Sequence, residues 1–393
     1  MRRRGGTPRQ NADSVLWSSH YTPTVFLCKT KLLQSPYSSC LCENSLDTFS
    51  HTVVQRSYLM RIHSCVSQSI ALVALFLSAL AATQDAPKAH IKLLTLLGRP
   101  LQIGVAETRG LFAKHGVAVE TENSANSEEV RAKLASSRGD LVYMAVDNAV
   151  AMVELDRQDV IIVMGGEGSQ NELMAQPEIK SIHDLRGKTL LVDAPNTAYA
   201  LQMKKILLLG GMQAGRDYEL KAYGATPQRF AAMRENKSYA ASMLGPPSSI
   251  AARHSGFVSL GSVQESIGPY QASGFFCQRA WPQEHRDALI AFLAAVIEAQ
   301  RWMMAPENKQ YVVESMTKEM RLAPDVAAEC YASLMNRPGG FVKDAAFDLQ
   351  GFSNILKLRA EIEGSWGGHP PPPENYYDAS YYNAALAKLN VGR

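Results

Sequence analysis

KTLLVDAPNTAYALQMKKILLLGG, spanning Lys188 to Gly211, decides the fold class. Thr189 to Val192 is a short apolar run ending in a β-branched residue and follows the turn-forming Arg186-Gly187, which reads as a buried strand. Asp193-Ala194-Pro195 breaks the run. Asn196 or Thr197 can then cap a helix whose apolar face is Tyr199, Met203, Ile206 and Leu207, spaced three and four apart. Gly210-Gly211 supplies the stop. A strand turning straight into a helix leaves unpaired backbone N–H groups at the helix start, a ready place for a polar or anionic ligand. The plainer alternative is a crossover in a parallel sheet with nothing bound.

The pattern repeats on both sides. Ahead of it lie expected strands at 91–97, 117–121, 141–145 and 160–164, with helices at 101–114, 127–136 and 149–154 between them. Four strands with helical crossovers of this length predict a parallel sheet covered on both faces. After a linker at 181–185, a second α/β set follows: the strand and helix of the opening stretch, strands at 219–223, 239–244 and 257–260, and helices at 227–236 and 248–254. A strand at 273–277 precedes a mostly helical remainder. There Leu289, Phe292, Leu293, Val296 and Ile297 form a wide apolar stripe. The expectation is an α/β protein with two lobes and a cleft: 83–180 as the first part of lobe one, 181–265 as lobe two, and 266–393 as the return to lobe one with C-terminal helices.

The front end differs from the rest. Residues 1–59 carry Arg2, Arg3, Arg4 and Arg9, many serines and no sustained period, and read as an upstream extension without a folded role. Met60-Arg61 and the apolar run Ser69 to Ala82, closing on Ala79 and Ala81, have the layout of a secretory signal over 60–82. A membrane anchor or an organelle-targeting extension are the alternatives. The formal charge of +3 belongs to this front end, since from residue 83 onward acidic residues slightly outnumber basic ones. No basic stripe suggests nucleic acid.

Several chemistries lack their motifs. There is no G-x-S-x-G, no P-loop, no dinucleotide fingerprint, no C-x-x-C and no histidine pair at metal-ligand spacing, so neither a cofactor nor a metal is expected. Cys277 and Cys330 fit free buried thiols, with pairing in an oxidising compartment the other possibility. Asp147, Glu167 and Asp193 each follow an expected strand, where a carboxylate serves either acid–base work or capping. What recurs is the strand-to-helix turn with small polar, Gly or Pro residues: Gly98-Arg99-Pro100, Asp147-Asn148, Asn196-Thr197 and Gly245-Pro246-Pro247-Ser248. In open α/β sheets ligands bind outside the carboxyl ends of the strands. Two such turns from each unit can therefore face one another.

Four strings stand out: Lys180 to Thr189 with its Asp184-Leu185-Arg186-Gly187-Lys188 core, Gly139-Asp140-Leu141, Leu244-Gly245-Pro246-Pro247, and Gly110-Leu111-Phe112. Through them residues 90–365 resemble the periplasmic solute-binding proteins of ABC transporters, in the group serving aliphatic sulfonates, taurine, nitrate and pyrimidine precursors of thiamine. The resemblance implies a type II periplasmic-binding fold: two α/β lobes joined by hinge strands that close on a small solute and present it to a membrane permease, without catalysis. The chain is also similar to fungal enzymes that make the thiamine pyrimidine, but it lacks their dense cysteine motif. An enzyme of that kind, or a solute-sensing subunit, is the rival expectation.

On this view Asn196, Thr197 and their N–H groups hold a polar or anionic end of the ligand from lobe two. Arg99 and Asn148 contribute from lobe one, and Gly245 and Pro246 form a wall. Arg99 suits a carboxylate or sulfonate, whereas Asp147 and Asp193 suit amine or hydroxyl groups, so a sulfonate, a carboxylate and a pyrimidine-like solute all stay open.

Overall fold

The computed structural model describes residues 89–96, 98–336 and 338–390; the expected extension (1–59) and signal segment (60–82) lie outside them. In chain order the first elements are β1 (Ala89–Leu96), α1 (Leu101–Thr108), β2 (Val117–Ser124), α2 (Ser127–Ala135), β3 (Leu141–Ala145), α3 (Asp147–Glu154), β4 (Val160–Gly165) and β5 (Glu172–Ala175). The next are β6 (Thr189–Val192), α4 (Ala198–Leu209), β7 (Glu219–Ala222), α5 (Thr226–Glu235), β8 (Tyr239–Leu244), α6 (Ser248–His254), β9 (Val258–Ser262) and β10 (Ser273–Gln278). The helices α7 (Arg286–Met304), α8 (Lys309–Glu319), α9 (Pro324–Asn336), α10 (Leu349–Glu363) and α11 (Ala379–Asn390) complete the chain. The single helix expected over 101–114 is broken at Gly110, whose φ of +66° lies in the left-handed region that glycine enters at little cost.

Two five-stranded sheets form, with orders β2-β1-β3-β10-β4 and β7-β6-β8-β5-β9. The expected all-parallel first sheet needs correction: β10 runs antiparallel to both β3 and β4 and separates them. The second sheet repeats the plan, with β5 antiparallel between β8 and β9. The lobe boundary moves as well. The sequence reading carried lobe one through residue 180, but β5 pairs within the second sheet. Each lobe thus takes its one antiparallel strand from a segment next to a crossing between lobes. This is the bilobed type II periplasmic-binding arrangement.

The two crossing segments lie side by side. Gly166 N–H donates to the Ser273 carbonyl, Ser273 N–H to the Glu167 carbonyl, and Ser169 N–H to the Tyr270 carbonyl, each at 3.0 Å. A few backbone torsions at such a doubled strand can swing one lobe without unpacking either.

Strand alternation places the cores. Leu93 belongs to one apolar cluster with Phe292, Leu293 and Val296 of α7. Its neighbour Leu94 belongs to another, with Leu190 of β6 and Phe352, Ile355 and Leu356 of α10. Leu191, one residue on from Leu190, packs in a third cluster with Met233 and Ala252. Successive side chains leave a strand on opposite faces, so each sheet is buried on both. Helix α10 bridges the lobes: its residues share a core with strands of both sheets, and Lys205 of α4 is paired with Glu361 at 2.6 Å. Cys277 and Cys330 are buried free thiols. Burial pushes the Cys330 thiol up to about 12.

The Asp184-to-Lys188 string has a structural explanation. Asp184 accepts the Lys180 and Ser181 N–H groups at 2.9 Å each, starting a 3-10 turn over Ile182–Leu185 with Leu185 fully buried. Arg186 pairs with Asp217, which also takes Arg216 Nη2 at 2.6 Å and the Gln213 N–H at 2.9 Å. These donors, Arg216 foremost, lower the Asp217 carboxyl from 3.8 to about 2. A depressed carboxyl stabilises the fold above its ordinary pKa and loses that contribution as pH falls through the folded value. Asp217→Asn should therefore flatten the loss of stability between about pH 4 and pH 2, read by acid titration of the folded signal. An acid limb as steep in the variant as in the wild type would rule this out.

Candidate functional site

A cavity of about 1190 Å³ lies between the lobes, and all four strand-to-helix turns line it. Arg99 and Pro100 open α1, and Asp147 and Asn148 begin α3; these come from the first lobe. Asn196 and Thr197 precede α4, and Gly245 to Ser248 join β8 to α6; these come from the second. The eight residues singled out from the sequence, Arg99, Asp147, Asn148, Asp193, Asn196, Thr197, Gly245 and Pro246, are all on its wall. A smaller cavity of about 280 Å³ shares Arg99, Asn148, Asp193 and Thr197 and reaches the crossing segments at Glu167, Asn171, Tyr270 and Ser273.

The surroundings of these residues change their expected roles. Arg99 is not a lone cation: it pairs with Glu107 and, through Nη2 at 2.9 Å, with Glu319 of α8. Asp147 is not free for a ligand amine. Arg359 of α10 grips its two carboxylate oxygens from Nε at 2.7 Å and Nη2 at 2.6 Å, with both side chains almost fully buried. The same guanidinium donates to Glu363 at 2.8 Å and to the Asn196 carbonyl at 3.3 Å. Arg359 is held charged, well above the ordinary range; burial opposes this and the Asp147 carboxylate outweighs it.

The α4 cap is Thr197 rather than Asn196. The Thr197 hydroxyl accepts the Ala200 N–H at 3.5 Å and lies 2.6 Å from an Asp193 oxygen, to which it donates. Asn196 is exposed and contributes its carbonyl to Arg359. Asn148 donates its side-chain amide to the Ala145 carbonyl at 3.1 Å. The wall at Gly245 is tight: a Cβ there would sit 2.4 Å from Asn171 Oδ1.

Sequence reasoning missed three contributors. Arg229 of α5 is 1% exposed and faces the cavity. It donates from Nε to Ser242 Oγ at 3.0 Å, from Nη1 to the Gly224 carbonyl at 2.6 Å, and from Nη2 to Thr226 Oγ1 and the Met243 carbonyl at 3.1 Å. Its guanidinium lies 5.1 Å from the Tyr199 ring centroid. Arg359 is the second, and the third is Tyr143, whose phenol donates to Glu167, the carboxylate the sequence already placed after an expected strand. Gly166 makes that pair possible, because a Cβ there would lie 2.4 Å from Ser273 Oγ and 2.7 Å from the Tyr143 oxygen. Both arginines carry a legible signal. Arg229 stands three and four residues before Ala232 and Met233, and Arg359 four and three after Ile355 and Leu356. Each is a cation in an apolar stripe, a position that buries its charge.

The family model described as the NMT1-like family matches residues 94–317. No curated protein matches at a significant level. Among solved structures, a Bordetella bronchiseptica protein superposes with a TM-score of 0.65 at 17% identity, over 78% of this chain and 99% of that one. The periplasmic nitrate-binding protein NrtA of Synechocystis gives 0.64 at 16% identity, over 78% and 91%. The alkanesulfonate-binding protein SsuA of Xanthomonas axonopodis, bound to MOPS, gives 0.62 at 12% identity, over 75% and 100%. At these identities the likeness is one of fold.

Proposed function

Because the chain belongs to the NMT1-like family, we propose that it is an exported solute-binding protein, which captures a small polar organic solute between its lobes and hands it to an ABC transporter permease, with no catalytic step of its own. One observation carries this reading: a cavity lined from both lobes by strand-to-helix turns, beside two hydrogen-bonded crossing segments. The similar folds whose names specify nitrate-binding and alkanesulfonate-binding proteins support it. Export through the signal-like segment at 60–82 gives a periplasmic location, and N-terminal sequencing of the exported protein tests that: retention of residues 1–59 would contradict it.

A solute that binds only the folded form stabilises it by mass action, about 2.7 kcal/mol at a hundredfold excess over its dissociation constant. A thermal-shift screen of sulfonates, carboxylates, pyrimidines and amines is expected to give a hit. The hit should also reduce the radius of gyration in solution scattering. A confirmed binder that leaves the radius unchanged would refute cleft closure.

A further inference from the structure

The charges around the cavity are unevenly matched. Every guanidinium on its wall already has a carboxylate: Arg99 has Glu107 and Glu319, Arg131 has Asp156 at 3.8 Å, Arg359 has Asp147 and Glu363, and Arg229 has Asp193 at 4.0 Å. An entering oxyanion would have to take a guanidinium from an acid that holds it. The carboxylates are different. Among the described residues the Glu167 carboxylate has one hydrogen-bond partner, the neutral Tyr143 hydroxyl, and its backbone is held by Ser273 and Gln271. Asp193 is partly matched: one oxygen takes the Thr197 hydroxyl and lies 4.0 Å from Arg229, while the other has no donor among the described residues.

Two further observations point to a ligand at this deep end. Tyr270 lines the smaller cavity and is 2% exposed, and its hydroxyl has no hydrogen-bond partner within 3.5 Å among the described residues. A buried polar group without a partner is uncommon in a folded protein and calls for an explanation. Tyr143 and Tyr270 also present aromatic surface to the same cavity, beside Tyr199, whose ring Arg229 already covers at 5.1 Å, and ring faces attract cations. Burial raises the Tyr199 phenol above its usual range, and Arg229 offsets part of that rise.

Resting on the solute-binding reading above, we propose that the captured solute is a small flat organic cation, an amidinium or a protonated amine, whose positive end pairs with Glu167 beside Asp193 while its flat face lies among the tyrosines. The Tyr270 hydroxyl accepts one of its N–H groups. Since Glu167 sits on a crossing segment, the ion pair forms at the hinge between the lobes.

The test uses the full chain, isothermal titration and four probes that share one ring: benzamidine, benzamide, benzoate and benzenesulfonate. Benzamidine is expected to bind at least about tenfold more tightly than the other three. Glu167→Gln should abolish that preference, and Asp193→Asn should weaken benzamidine in the same direction. If Glu167→Gln does not fold, Asp193→Asn and the loss of wild-type benzamidine affinity with added sodium chloride carry the test; an affinity indifferent to both would overturn the proposal. Preference for benzoate or benzenesulfonate overturns the proposal and leaves the solute-binding reading intact. A benzamidine preference that survives Glu167→Gln overturns the placement. If none of the four binds, native mass spectrometry of the protein from its own cells decides. A carried cation supports the proposal, a carried anion or neutral molecule overturns it alone, and no carried molecule overturns the solute-binding reading with it.

Discussion

Arg359→Ala is expected to lower the free energy of unfolding by about 3–5 kcal/mol, the usual cost of removing one partner of a buried ion pair. Asp147 and Arg359 have side-chain exposures of 2% and 3%, and the guanidinium is the only charged partner the described residues offer Asp147. Removing it leaves a carboxylate that must stay buried without compensation or take up a proton. Replacing both residues by apolar ones of similar volume is a different experiment. There the desolvation of two charges is no longer required, and such swaps are commonly neutral or stabilising by about 1–4 kcal/mol. Asp147→Leu with Arg359→Met should therefore recover most of what Arg359→Ala loses. Chemical denaturation measures both. A single variant that loses under about 1 kcal/mol would mean that the pair is solvated and that the lobes do not lean on it.

Phe352→Ala, seven residues earlier on the same face of α10, is expected to cost about 3–5 kcal/mol through lost burial and the cavity left behind. Phe352 is fully buried, with ring centroids of Phe347 at 5.2 Å and Tyr376 at 5.9 Å. Its cluster joins Leu94 and Val142 of one lobe with Leu190 and Ala241 of the other. The denaturant midpoint should fall without a change of slope, since the exposed surface on unfolding stays nearly the same. A split into two transitions would show instead that α10 is what makes the lobes unfold together. Because both substitutions strike one helix, their effects should not add, and the double variant measures the coupling.

The opening stretch shows how far local signals reach. The expected strand at 189–192 and the helix that follows match β6 and α4, and the strands at 141–145 and 239–244 and the helix at 248–254 have the expected bounds. Apolar runs, helical spacing and glycine or proline punctuation are properties of neighbouring residues, so a single chain displays them. β5 escaped because Glu172–Ala175 is four residues long and opens on a charged side chain, too short a run to show an alternation. The place of β10 escaped for another reason: sheet order is settled by which strands meet, and nothing within 273–278 records its neighbours.

The sequence by itself determined the α/β class, the two sets of strands and helices, and the four turns that now line one cavity. Only the tertiary structure decided which charges in that cavity remain available. Arg99 meets Glu319 across 220 residues and Arg359 meets Asp147 across 212, while no cation reaches Glu167 among the described residues. Turn chemistry acts over a few bonds, whereas an ion pair forms wherever folding brings two charges within about 4 Å. The identity of the free carboxylate is therefore a property of the packed lobes.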